Sequence, residues 1–436
     1  MNSEKNTAIK VGNYRWIILS LVFFATTVNY LDRSVISLLK KYLEHDFHWT
    51  NSDYANVGVA FQISYAIGML GVGRLIDKIG TKLGYAMSLT VWSLAAMGHC
   101  LVGNTLGFMV ARSGLGVSEA GNFPAAIKTV AEWFPKKERA LATGIFNSGA
   151  NIGAIVAPLT VPLIAHAWGW RWAFYITGAI GLIWLAFWFA FYESPKNHKK
   201  VSQSELDYIN SDNEKTETPV VEEKVSWFKL LTFRQTWGYV IAKGLTDPVW
   251  WFYLFWLPDF LGKEYKMEGT AVMWPLALVY CMTTVGSIGG GWLSGRFIKM
   301  GWPIYKARAT ALLIFALCAV PVISAQALGS INPWLAVFII GLAASGHQAW
   351  SANIFTTASD MFPKKAVASI TGIGGMAGAV GGIVIMKVTG LLTDHFEKLG
   401  NIHTAYYIMF FVCGLAYLTG WAILNVLAPK MKQVDL

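Results

Sequence analysis

Charge is the scarcest property of this sequence. Of its 436 residues 14% are Asp, Glu, Lys or Arg and 55% are hydrophobic, whereas a soluble domain carries about 25% charged residues. That shortage excludes an ordinary soluble fold and points to a protein embedded in a lipid bilayer. Cysteine is almost missing. Cys100, Cys281, Cys318 and Cys413 each sit in an apolar run with no CxxC or metal spacing, which excludes a disulfide scaffold or zinc site and leaves small buried hydrophobes. No Asn-x-Ser/Thr sequon occurs, which points to a bacterial rather than a eukaryotic surface protein. HExxH and GxSxG are also missing, as is any sizeable soluble domain, so neither an enzyme nor a bound cofactor or metal is expected.

What is present is apolar sequence in membrane-length runs. A helix needs about 20 mostly apolar residues to span a bilayer. Such runs lie at roughly 15–38, 55–75, 81–101, 106–128, 140–163, 171–192, 235–260, 271–294, 307–326, 332–355, 366–392 and 404–428. The first has no small-residue cleavage site behind it and is expected to span rather than serve as a signal peptide. The longest hydrophilic stretch, Glu193–Lys224, separates spans six and seven. Its composition is that of a solvated linker, with a short helix expected around Ser204–Ile209. The expected organisation is all-α: a six-helix half (1–192), a linker (193–234) and a second six-helix half (235–436).

Lys and Arg crowd one set of loops, at Arg15, Arg74, Lys78, Lys82, Lys136, Lys137, Arg139, the linker, Arg296, Lys299, Lys306, Arg308, Lys364 and Lys365. By the positive-inside rule both termini and the linker are expected to be cytoplasmic. The same bias accounts for the net charge of +10 without a nucleic-acid partner. The halves echo each other. WFPKKERALATGI (Trp133–Ile145) aligns with MFPKKAVASITGI (Met361–Ile373), and GRLIDKIG (Gly73–Gly80) with GWLSGRFI (Gly291–Ile298). Internal duplication around a central cavity is transporter architecture. The small-residue runs Gly149–Gly153 and Gly378–Gly382 are expected to let helices 5 and 11 pack against the opposite half.

GRLIDKIGTK (Gly73–Lys82), between spans two and three, resembles the loop signature of the major facilitator superfamily. Its glycines, Gly73 among them, suit close helix approach, and Asp77 can accept hydrogen bonds at a neighbouring helix terminus. NYLDR on helix 1, ARSGLGVSEAGNFPA (Ala111–Ala125) on helix 4 and WFPKKERALATGIFNSG behind it resemble the anion:cation symporter family. TDPVWWFYLFWLPDFL (Thr246–Leu261) and GHQAWSANIFTTASDMFPKK (Gly346–Lys365) resemble bacterial hexuronate carriers. Galactonate-type members place an Asn in helix 11, where GIGGMAGAVGG has none. The resemblance implies proton-coupled symport of a sugar-acid anion by alternating access in the inner membrane, with protons as the only coupling species and a monomer sufficient. Another organic anion such as galactonate or glucarate, or an uncoupled uniporter or exchanger, is the alternative.

Charges inside spanning helices usually face a bundle interior or wet cavity. Asp32 and Arg33 point about 100° apart on helix 1, so they cannot share one target. Arg33 suits a carboxylate, which guanidinium binds through two parallel hydrogen bonds, and the resemblance gives it the same role; Asp32 is then a proton carrier. Arg112 and Glu119 share a face of helix 4. The resemblance makes Glu119 a coupling carboxylate beside Asp32, with Arg112 structural or gating. Lys243 and Asp247, four apart on helix 7, are expected to form a structural pair, with Lys243 lining the cavity as the alternative, and Lys128 and Lys387 to snorkel. Tyr30, Tyr65, Asn147, His347, Gln348, Trp350 and Asn353 complete the expected substrate contacts, with about two of the last four reaching the cavity.

Overall fold

The computed structural model describes residues 12–211 and 227–434; the side chains of Leu70, Asp77, Lys136, Lys137, Arg139, Ala140, Trp227, Lys364, Lys365 and Ala368 lie outside the description. Among the described residues no strand occurs. Twelve helical units follow in order: α1 (Tyr14–Phe47), α2 (Asn51–Ile79), α3 (Thr81–Gly98), α4 in two pieces (Thr105–Glu119 and Asn122–Trp133), α5 (Lys136–Trp168), α6 (Trp170–Phe191), α7 (Arg234–Tyr265), α8 (Met273–Lys299), α9 (Ile304–Ala319, continued through a 3-10 turn to Ala325–Gly329), α10 (Pro333–Met361), α11 (Lys364–Lys398) and α12 (Ile402–Leu427). Eight are long and apolar enough to cross a membrane by length and composition alone. Of the rest, α4 is divided and α7 carries Lys243, Asp247 and Asp259 within its span. A short linker helix, Gln203–Ile209, is capped by the Ser202 side chain.

Packing repeats between the first six and last six helices. The pairs α1–α5, α2–α4 and α3–α6 recur as α7–α11, α8–α10 and α9–α12. The FPKK turns share one backbone path: Phe134 and Phe362 are extended, and Pro135 and Pro363 stand at φ −62° and −63° before α5 and α11. Proline's fixed φ suits a cap position and forfeits no helical hydrogen bond there. The turns after α2 and α8 each use a glycine at positive φ, Gly80 at 87° and Gly301 at 85°.

α4 divides because Pro124 has no N–H to give the Ala120 carbonyl. Its N-terminal piece presses on α2, where a Cβ at Gly116 would come within 2.6 Å of the Phe61 carbonyl oxygen. The small-residue runs serve a different contact from the one expected. A Cβ at Gly149 would meet the Phe23 carbonyl at 2.5 Å, and one at Gly153 the Thr27 carbonyl at 2.4 Å, so α5 packs on α1 of its own half. Gly378 and Gly381 likewise face Asp247 and Pro248 of α7. The closest helix crossings lie inside each half, and that is where side chains must be smallest.

The halves meet at the end away from the linker. Lys40, buried near the end of α1, donates to Asp259 of α7 at 2.6 Å, Asn51 at 2.7 Å and Glu44 at 2.5 Å. Tyr406 donates to the same Asp259 carboxylate, and Lys41 pairs with Glu268. Asp394 of α11 accepts from the backbone N–H groups of Asn51 and Ser52 at 2.8 and 2.9 Å, capping α2 from across the interface. Lys263 binds Glu397 at 2.9 Å. Lys387, exposed near the same end, donates to Asn56 at 2.6 Å. Here the glycines do separate the halves, with Gly390 against Ala55 and Gly58 against Met386.

A Cβ built at Gly390 lies 2.6 Å from that of Ala55, about an ångström inside the usual disulfide range. A Cβ at Gly390 must push α11 outward, and a shift of about an ångström brings the two Cβ atoms to disulfide spacing, so Ala55→Cys combined with Gly390→Cys is expected to oxidise to a cross-link. With a protease site introduced into the linker, the halves should stay joined on a non-reducing gel after cleavage and separate on reduction. Separation without reductant would contradict the closed far end.

Candidate functional site

A cavity of about 270 Å³ lies between the halves, bordered by α1, α4, α5, α7 and α10. Tyr30, Phe123, Asn147, Ala150 and Asn151 line it from the first half, and Lys243, Asp247, Trp250, Trp251, His347, Gln348, Ser351 and Phe355 from the second. Its wall is therefore aromatic and amide-rich, with one ion pair: Lys243 Nζ stands 2.8 Å from Asp247 Oδ2 and 4.0 Å from the centre of the Phe355 ring. His347 stacks on Trp250 and is hydrogen-bonded through Nδ1 to the Tyr417 hydroxyl at 2.7 Å.

Arg33 sits behind this wall rather than on it. Its Nε and Nη2 both donate to Glu119 Oε2, at 2.9 and 2.8 Å, and the pair is almost fully buried. Four rings enclose the guanidinium: Tyr30 at 4.8 Å, Tyr65 at 4.9 Å, Phe61 at 5.2 Å and Trp251 at 5.5 Å. Tyr30 and Trp251 also line the cavity, so they separate Arg33 from it. Such faces stabilise a desolvated cation. Glu119 Oε1 has no hydrogen-bond partner among the described residues.

Glu119 thus chooses Arg33 over Arg112, although Arg112 shares its helix face. Arg112 instead donates from Nη2 to the Arg33 carbonyl at 3.0 Å, clamping α4 to α1. Asp32 does not line the cavity; it faces α6 and α4, with Glu119, Thr177 and Arg112 as its polar neighbours. It is buried, and neither carboxylate oxygen has a hydrogen-bond partner among the described residues.

Of the remaining expected contacts, Tyr30, Asn147, His347 and Gln348 reach the cavity, whereas Tyr65 reaches Arg33. Trp350 and Asn353 do not reach it. Trp350 packs edge-on against Tyr417, and Asn353 donates to the Gly290 and Ala349 carbonyls at 2.8 and 2.9 Å, joining α10 to α8. Helix geometry explains the division. At 100° per residue His347, Gln348, Ser351 and Phe355 fall within about 100° of arc, Trp350 lies outside it and Asn353 is opposite. The same count would have revealed Ser351 and Phe355, and the i, i+4 spacing from Asn147 would have revealed Asn151. Gly73 approaches Pro124 of α4, its Cβ position 3.8 Å away, whereas the side chain of Asp77 lies outside the described residues. Lys128 donates to the Ile76 carbonyl at 3.3 Å.

Two repeated six-helix sets around a central polar cavity define a multi-pass membrane transporter rather than an enzyme. The Major Facilitator Superfamily profile matches residues 22–386, and the chain belongs to that family. The hexuronate transporter of Escherichia coli strain K12 is 31% identical over 386 residues, covering 88% of this chain and 89% of that protein. The galacturonate transporter of Dickeya chrysanthemi is 34% identical over 290 residues, covering 66% of this chain and 84% of its own length. Among solved structures, a D-xylose-proton symporter superposes with a TM-score of 0.74 at 14% identity, over 97% of this chain and all of that one, a likeness of fold.

Removing one partner of a buried pair leaves the other charge uncompensated, at a cost of about 3–5 kcal/mol. Glu119→Ala and Arg33→Ala are each expected to destabilise on that scale, and the double variant by clearly less than the sum. Thermal unfolding of the purified protein checks this; additive losses would show that the two charges do not depend on each other.

Proposed function

We propose that this chain is a proton-coupled symporter of a sugar-acid anion, a hexuronate, working by alternating access in the bacterial inner membrane with the linker and termini in the cytoplasm. The observation that carries the reading is the desolvated Arg33–Glu119 pair behind the cavity. While Glu119 is ionised, it occupies the guanidinium. A proton on Glu119 cancels the attraction and frees Arg33 for a substrate carboxylate, which guanidinium can hold through two hydrogen bonds. Asp32, buried without a hydrogen-bond partner among the described residues, is the second proton carrier. Tyr30, Asn147, Asn151, His347, Gln348 and Ser351 suit the hydroxyls of a sugar, and Trp250 and Trp251 its faces. The names of the relatives support the substrate class.

In the cycle, the protein opens outward with both carboxyls protonated and binds the anion on Arg33. The lock of Lys40, Asp259, Asn51, Asp394 and Lys263 then forms behind it. Proton loss to the cytoplasm restores Glu119 as a competitor and expels the anion. Two protons with one monoanion move one net charge inward, worth about 2.3 kcal/mol per 100 mV. One copy contains the whole pathway, so a monomer suffices.

An aldarate or aldonate is the second reading. A probable galactarate/D-glucarate transporter of Escherichia coli strain K12 is 30% identical over 88% of this chain. Uptake of labelled glucuronate and galacturonate into proteoliposomes under an inward proton gradient separates the readings. Wild type is expected to accumulate them, and Glu119→Gln to retain only counterflow. Accumulation of aldarates but not uronates would move the substrate, and uptake indifferent to the gradient and to Glu119 would remove the coupling.

A further inference from the structure

Once Glu119 holds Arg33 and the far end is shut, Tyr30 and Trp251 close Arg33 off from the cavity, so an anion released from it crosses the cavity without that cation. The cavity wall nevertheless carries a cation, Lys243. It is 2% exposed, and its partner Asp247 is 22% exposed. Both lie on the wall nearer the linker end than Trp250 and Trp251, because α7 enters from that side.

The pair is built into the fold. Gly374 and Gly378 of α11 make room for it: a Cβ at Gly374 would stand 2.9 Å from Lys243 Cδ, and one at Gly378 would stand 2.4 Å from Asp247 Oδ2. Pro248 removes the hydrogen bond that the Gly244 carbonyl would otherwise receive, and Gly381 packs against that carbonyl. A structural lock needs no opening onto a cavity, yet both partners line this one, Asp247 as the more exposed of the two. A cation on the wall of an anion pathway, paired with a displaceable carboxylate, has the chemistry of a ligand site.

We propose that Lys243 is a second, release-side site for the substrate carboxylate, with Asp247 as its built-in competitor. The anion leaves Arg33 when Glu119 reclaims it and crosses the cavity to Lys243, displacing Asp247. It leaves for the cytoplasm as Asp247 returns. Carboxylate exchange at Lys243 thus repeats, without a proton, the exchange at Arg33. The ligand class is a carboxylate anion carrying hydroxyls, held at the acid end by Lys243 and along the ring by Trp250 and Gln348. This inference rests on the sugar-acid reading.

The test is equilibrium binding of glucuronate to the purified protein by isothermal titration calorimetry, comparing wild type, Asp247→Asn and the double variant Lys243→Met with Asp247→Asn. Removing the competitor should tighten binding about three- to tenfold, and removing the cation as well should weaken it at least about tenfold relative to wild type, the scale of one hydrogen bond to a charged group. The double variant leaves no unpaired ion, so its loss decides the matter even if Asp247→Asn folds poorly. If both variants weaken binding equally, or the double variant binds as wild type does, Lys243 is not a ligand and the pair only ties α7 together. Wild type that binds neither glucuronate nor galacturonate would instead overturn the sugar-acid reading and this inference with it.

Discussion

The arrangement depends on one desolvated ion pair. Arg33 and Glu119 have almost no contact with solvent, and their mutual attraction must offset a solvation loss of several kcal/mol per ion. The aromatic ring set around Arg33 and the clamp from Arg112 to the Arg33 carbonyl fix α1 against α4 at the depth of the cavity. In the symport cycle proposed above, that rigidity is what gives the proton its leverage. Neutralising Glu119 leaves a buried cation without a counter-ion, and an anionic substrate restores the balance.

The far-end lock supplies the other half of the account. Lys40, Asp259, Asn51, Lys263, Glu397 and Asp394 join α1 and α2 to α7 and α11 through polar contacts set beside an apolar seam in which Tyr54 meets Trp256 and Ala55 meets Gly390. Such contacts break reversibly because water replaces each partner once the halves part. Within each half the glycine contacts hold helices backbone to backbone, which suits rigid units. Glycine packing inside each half and a largely polar lock between them suit the rocking proposed above.

Much of the fold was legible in the sequence, because spanning helices announce themselves through length and apolarity and the duplication through FPKK at matching loops. The site was legible by residue type and less so by partner. Arg33 and Glu119 stood out as charges in apolar runs, yet helix periodicity paired Glu119 with Arg112, since a wheel shows only neighbours on one helix. Lys40 escaped because apolarity fades at Leu38 whereas α1 runs on to Phe47, its polar end buried by the other half. Trp350 and Asn353 stood among four candidates of which about two were expected to reach the cavity, and the angular count decides between them. The glycine runs marked close packing correctly, but nothing in their sequence says which helix approaches.

The most direct measurement is proton exchange on binding. Glucuronate titrated into weakly buffered, detergent-purified protein at neutral pH should drive net proton uptake, seen as alkalinisation of the medium, because the anion takes Arg33 only when Glu119 carries a proton. Affinity should accordingly rise as pH falls, and Glu119→Gln should take up fewer protons than wild type. Tight glucuronate binding by wild type with no proton uptake and no pH dependence would contradict the exchange at Arg33 on which the account rests.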